Sequence, residues 1–232
     1  MMFLDLERRT DLSNIDNNIV IAIDGPAGAG KSTVAKQVSR ILNINYIDTG
    51  AMYRAITYKC IKNGLDLEDE KSVVDLCKNT DLKFENNSIF IDGQCVDDDI
   101  RTLQVSSKVS YVARIPGVRF HLVELQREMG KDDNVVLDGR DVGTQIFPNT
   151  KYKYYLNAAV ETRAKRRYDE LILKGVKASF EGIVEDVRNR DKIDSTREVS
   201  PLIKASDAIE IDSTNMTIEE VVDFIVNDVR GK

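Results

Sequence analysis

The chain has 232 residues, 42% of them hydrophobic and 31% charged, and a formal net charge of −6. That is enough for one large domain with insertions or two small ones around a packed core, and the acidic balance makes a poor electrostatic match for DNA or RNA. No apolar run is long enough to cross a bilayer, and the opening stretch MMFLDLERRTDLSNIDNN lacks the apolar core of a secretory signal, so the expected location is the cytoplasm.

Residues 1–18 are polar and without periodicity, which predicts a loose leader. Ile19 to Ile23 is a short apolar run of the kind that forms a strand buried on both faces, and the pattern GxxxxGKS begins two residues later. In VAKQVSRIL, Val34, Val38, Ile41 and Leu42 recur at helical spacing, so the glycine-rich segment has the strand before it and the helix after it that a phosphate loop requires. Gly25, Pro26, Ala27, Gly28, Ala29 and Gly30 would wrap their backbone around the phosphates of ATP at a positive helix end. Lys31 would reach the β- and γ-phosphates. Ser32 would offer its hydroxyl to Mg²⁺, with Thr33 beside it as an alternative.

Asn45 to Asp48 predicts a second strand, and DTGAMYRAITYKCIKNG a turn and a helix stopped by Gly64. From Leu65 to Arg101 the texture changes. Glu68 to Asn79 predicts a small helix, and LKFE, SIFI and QCV, separated by Asn86-Asn87 and Asp92-Gly93, predict an antiparallel meander inserted into an α/β alternation. Asp97, Asp98 and Asp99 read as a solvated loop rather than a metal site. Cys60, Cys77 and Cys95 are widely spaced and without nearby histidines, which predicts reduced, partly buried thiols.

Gln104 to Ala113 and Gly117 to Met129 predict two helices broken by Pro116, the second carrying the sole histidine, His121, on its surface. Strands follow at Asn134 to Asp138 and Lys151 to Asn157. Helices are predicted over 160–173 and 180–191, joined by the Gly/Lys connector KGVKAS, then a strand at Ala208 to Asp212. Thr217 with Glu220 forms a capping box for the last helix. Strands alternating with helices around a phosphate loop imply an α/β fold, a parallel sheet with helices on both faces.

Arg54 in DTGAMYR, Arg140 in LDGRD and Arg197 in STREVSPL lie far apart in sequence, yet each falls beside a strand end or in a connector near the expected cleft. Together, DGPAGAGKST, IDTGAMYRA, IRTLQVSSKVSYVARIPGVR, LDGRDVGTQIFPN, NRDKIDSTREVSPL and AIEIDST resemble, in order and spacing, the signatures of the bacterial-type cytidylate kinases, from about Ile19 to the C-terminus. The resemblance implies phosphoryl transfer from ATP to CMP or dCMP. It implies a kinase core at 19–65 and 105–232, an inserted monophosphate-binding domain at 66–104 and a lid at 163–190.

By the same resemblance Arg54, Arg140 and Arg197 hold the CMP phosphate, with Lys31, Arg140 and Arg197 as the catalytic cations. Ser110, Arg119 and Asp141 face the cytosine, Arg190 and Asp194 the sugar, and Thr49, where many members carry serine, the base or ribose. Arg163, Lys165, Arg166 and Arg167 fall in the lid and would fold over the ATP phosphates, Arg166 being the one assigned to ATP. Asp138, at a strand end, is either an acceptor for metal-bound water or a cap or turn residue. A monomer acting on small nucleotides is expected. The rivals are another small P-loop kinase, acting on UMP or a non-nucleotide acceptor, and a nucleotide-dependent switch that needs no monophosphate.

Overall fold

A computed structural model describes residues 18–85, 88–173 and 175–231. Residues 1–17 of the predicted leader at 1–18, and the Asn86-Asn87 turn signal, lie outside the described residues.

Five parallel strands make the central sheet: β1 (Val20–Asp24), β2 (Asn45–Asp48), β6 (Val135–Gly139), β7 (Tyr152–Asn157) and β8 (Ile209–Asp212), in the order β2-β6-β1-β7-β8. Side chains alternate between the two faces, and both faces are covered, which is why these strands read as continuous apolar runs. Ile21, Ile23, Val136, Tyr154 and Leu156 meet helices α1 (Lys31–Leu42) and α8 (Ile218–Val229). Ala22, Val135 and Leu137 point the other way, toward Ile47, toward Val123 of α5 (Pro116–Gly130) and toward a π-helical turn at Val142–Ile146. The phosphate loop leaves the carboxyl end of β1, between β6 and β7, where the crevice of an open parallel sheet forms.

Helix α2 (Thr49–Lys62) follows β2 directly, capped by Asp48, whose side chain accepts from the Ala51 amide. The insertion carries α3 (Glu70–Lys78) and an antiparallel sheet of β3 (Leu82–Glu85), β4 (Ser88–Ile91) and β5 (Gln94–Cys95). Val73, Ile89, Ile91 and Ile100 of this segment share one apolar cluster with α2, α5 and α4 (Leu103–Ala113). Pro116 begins α5 at its first turn, where its missing N–H costs nothing.

Helices α6 (Val160–Leu173) and α7 (Phe180–Thr196) close a small core of their own through Ala164, Leu171, Ile183 and Val187. The sequence reading stops α7 at Asp191, whereas the helix runs on to Thr196. Its buried positions continue from Ile183 and Val187 to Asp194, so the inward face turns polar near its end and an apolar pattern loses sight of it. Among the described residues no helix is long and apolar enough to cross a membrane.

Candidate active site

The carboxyl ends of β1, β2 and β6 open into a cleft of about 810 Å³. On one side lies the phosphate loop. Gly25 takes φ +147°, and a Cβ there would come 2.0 Å from the Leu156 carbonyl oxygen, so the loop passes against β7 only because that position carries no side chain. Gly28, Gly30, Lys31, Ser32 and Thr33 face the cleft, while Gly30 caps α1 without a side-chain acceptor, leaving the helix end to an anion. Gly25, Pro26 and Ala29 do not line the cleft and instead form the back of the loop.

Lys31 is buried and its Nζ donates to the Pro26 carbonyl at 2.8 Å, holding the ammonium across the loop it serves. Burial, with the Arg140 charge nearby, pushes its pKa down to about 7. Ser32 donates to Asp138 Oδ2 at 2.8 Å and Tyr46 donates to Oδ1 at 2.7 Å. Burial and the neighbouring Asp48 raise the Asp138 carboxyl above its ordinary range. The Asp138 carboxylate accepts from two hydroxyls rather than from the amides of a helix end.

Across the cleft, polar side chains from five segments meet. Arg119 is buried to 1% exposure; it donates through Nη2 to Asp141 Oδ2 at 2.6 Å and through Nη1 to the Ala113 carbonyl at 3.0 Å. Arg197 lies 3.5 Å from the other Asp141 oxygen. Arg140 Nε donates to Asp194 Oδ2 at 2.9 Å, and Ser110 approaches Asp194 Oδ1 at 3.4 Å. Burial opposes the charges of Arg140 and Asp194, but each outweighs it for the other: the guanidinium is held above its usual range and the carboxyl, aided by Arg197, below its own. Arg54 pairs with Asp48 at 2.8 Å, and Thr49 donates to the Asp138 carbonyl at 2.7 Å.

Thr49, Arg54, Ser110, Arg119, Arg140, Asp141, Arg190, Asp194 and Arg197 therefore line the same cleft as the phosphate loop. Burial and Arg140 push the Arg190 pKa down to about 10, and its Nε, like those of Arg54 and Arg119, has no hydrogen-bond partner. Buried guanidinium donors without a protein acceptor suit a site for an anionic or acceptor-rich ligand.

The lid cations separate. Arg163 does not reach over the cleft: it is buried, donating to the Ala158 and Ala27 carbonyls at 2.8 and 3.0 Å and to Asp191 at 2.7 Å. Its place in the first turn of α6 packs it against the loop at Gly28. Lys165 pairs with Asp169 on the surface. Arg166 and Arg167 line the cleft, with Arg166 donating to the Ser213 carbonyl at 2.7 Å.

Residues 21–231 match the sequence model described as Cytidylate kinase. The chain belongs to the cytidylate kinase family. A cytidylate kinase of Clostridioides difficile (strain 630) is 53% identical over 212 residues, covering 91% of this chain and 98% of that protein. One from Bacillus subtilis (strain 168) is 47% identical over 222 residues, covering 94% and 99%. A crystal structure of an uncharacterized protein from Eubacterium ventriosum ATCC 27560 aligns with a TM-score of 0.50 at 14% identity, over 93% of this chain and 100% of that one, a likeness of fold alone.

Sequence reasoning passed over three residues that the fold brings to this cytidylate kinase cleft or its edge. Tyr53 lies in the quoted DTGAMYR motif; its ring stands 5.2 Å from the Arg119 guanidinium and its buried hydroxyl is unpartnered. Arg101, in the quoted IRTLQ segment, reaches to 3.8 Å of Asp48. Asp24, just before the loop, is buried outside the lining. Each sits inside or beside a motif, which was the available signal.

Proposed function

We propose that the chain transfers the γ-phosphoryl group of ATP to CMP or dCMP, giving ADP and CDP or dCDP. What carries this reading is one cleft that holds the Lys31 and Ser32 end of a phosphate loop on one side and the buried Arg119, Asp141 and Arg197 group on the other.

An oxygen of the acceptor phosphate attacks the γ-phosphorus while the bond to the bridging oxygen of ADP breaks. That oxygen is already anionic, so no general base is needed, and the chain's work is positioning and charge neutralisation. Lys31 and the loop amides hold the donor. Arg54, Arg140 and Arg197 hold the acceptor phosphate, with Arg101 at their edge, because guanidinium groups offer paired donors and stay charged.

Ser32 Oγ and the Asp138 carboxylate, 2.8 Å apart beside Lys31, are hard oxygen donors that suit Mg²⁺. When bound, Mg²⁺ would neutralise charge between the β- and γ-phosphates, with Ser32 as direct ligand and Asp138 behind it.

Cytosine presents an amino donor next to two acceptors. Asp141 suits the donor and Arg119 the acceptors, whereas uracil would set a carbonyl against the carboxylate, at about 1–3 kcal/mol for each mispaired group. Asp194 and Arg190 would take the sugar, Ser110 the cytosine, and Thr49 the base or ribose. Residues 66–104 would act as the acceptor-side unit and 163–190 as the lid, bringing Arg166 and Arg167 over the donor. The net charge of −6 argues against a nucleic-acid partner.

A coupled assay across the nucleoside monophosphates tests the reading. CMP and dCMP should release ADP rapidly and UMP slowly, with little ADP when no monophosphate is present. Equal rates with CMP and UMP would overturn the assignment of the base pocket.

A further inference from the structure

Asp24 is the last residue of β1, one position before the phosphate loop, with its side chain 5% exposed and off the wall of the cleft. Its two oxygens divide the work. Oδ1 accepts from the Val142 amide at 2.9 Å and Oδ2 from the Gly143 amide at 2.7 Å. These amides open the π-helical turn that follows directly on Arg140 and Asp141. The first N–H groups of a helical turn have no acceptor within it, and Asp141 supplies no side-chain cap. A carboxylate at that end satisfies two donors and the local dipole together. The parallel register, which sets Asp24 opposite Gly139, brings the acceptor there.

We propose that Asp24 is a positioning residue for base recognition, holding the turn after β6 so that Asp141 meets both Arg119 and Arg197. This rests on the assignment of Asp141 to cytosine made above. The turn packs tightly against β6: a Cβ at Gly139 would stand 2.7 Å from both the Thr49 hydroxyl and Val142 Cγ2, while one at Gly143 would make ordinary contact with Asp24 Oδ2. Stability does not account for an ionised Asp24, because burial pushes its pKa up to about 6 against the two amide bonds that favour the charge, with Asp141 adding to the cost.

Asp24→Asn keeps the volume but sets an NH₂ against one of the two amides. The turn must then shift, and Asp141 with it. The KM for CMP should rise about tenfold and the CMP-over-UMP ratio of kcat/KM should fall by a similar factor, the loss expected for one hydrogen bond to a charged group. The KM for ATP should rise much less, since Asp24 acts on Lys31 through its charge alone while both of its hydrogen bonds go to the turn. An unchanged KM for CMP overturns the proposal. So does a KM for ATP that rises in step with it, which would mean a disturbed phosphate loop. Wild-type protein that does not prefer CMP over UMP would instead sink the cytosine assignment itself. If the Asn variant does not fold, Asp24→Ser, which keeps one short neutral acceptor, carries the same comparison.

Discussion

Arg163 joins Asp191 of α7 at 2.7 Å while its other nitrogens donate to the Ala27 carbonyl of the phosphate loop and the Ala158 carbonyl after β7. A single guanidinium thus ties the donor loop to the helix that carries Arg190 and Asp194. An ammonium at the same position could not fork to three acceptors in fixed directions. Arg163→Lys keeps the charge but cannot make all three hydrogen bonds, and should lower the unfolding free energy by about 2 kcal/mol and raise the KM for ATP. Lys165→Ala, which removes an exposed pair with Asp169, should change stability by no more than about 0.5 kcal/mol. Urea unfolding of both variants makes the comparison, and equal losses would remove Arg163 from the linking role.

The Arg119 and Asp141 pair makes a prediction of a different kind, about selectivity. Asp141→Ala leaves Arg119 buried with one acceptor fewer and takes away the group proposed to meet the cytosine amino hydrogen. The preference for CMP over UMP should fall by at least about tenfold, with ATP binding much less affected. Steady-state kinetics with each monophosphate reads both effects. Unchanged preference would strip Asp141 of its part in recognition.

Much of this arrangement was legible in the chain. The strand and helix around the loop carry their periodicity openly, since Ile21, Ile23, Val34 and Val38 all point into one core. Arg54, Arg140 and Arg197 could be suspected from their motifs, and all three line the cleft. What escaped depends on partners distant in sequence. Arg163 looks like its neighbours in TRAKRR, and only the approach of Ala27, 136 residues away, makes it a buried tie. Asp24 meets amides 118 and 119 positions on, and no local pattern announces that pairing. The continuation of α7 was missed because a helix face turned toward a polar cleft carries charge where periodicity looks for apolar side chains.

The thiols offer an independent check on the packing. Cys60 and Cys77 are buried against the inserted segment, and burial pushes their pKa values up to about 11 and about 12, whereas Cys95 is exposed at the end of β5. The thiolate is the reactive form, so at about pH 8 the two buried groups are protonated as well as shielded. A chromogenic disulfide reagent should titrate one thiol quickly in the native protein and three in denaturant, and Cys95→Ser should abolish the fast phase. Rapid reaction of two or three thiols in the native state would contradict the packing of α2 against α3.

Asp24 also sets a pH dependence whose sign can be worked out. Its carboxyl has an ordinary value of 3.8 and is raised to about 6 in the folded protein, chiefly by burial. The folded state therefore binds this proton more tightly than the unfolded state does. The resulting stability is fully present below about pH 4 and is lost as pH rises through about 6. Asp24→Asn removes the titration while leaving Asp141 and Lys31, the charges that act on Asp24, in both proteins. The wild-type advantage over the variant should then shrink by on the order of 3 kcal/mol between about pH 4 and pH 7, the equivalent of roughly two pKa units. Paired urea unfolding curves at several pH values across that window measure the difference. A difference that stays level, or grows with pH, would mean that the Val142 and Gly143 amides outweigh burial and that Asp24 stabilises the fold at neutrality.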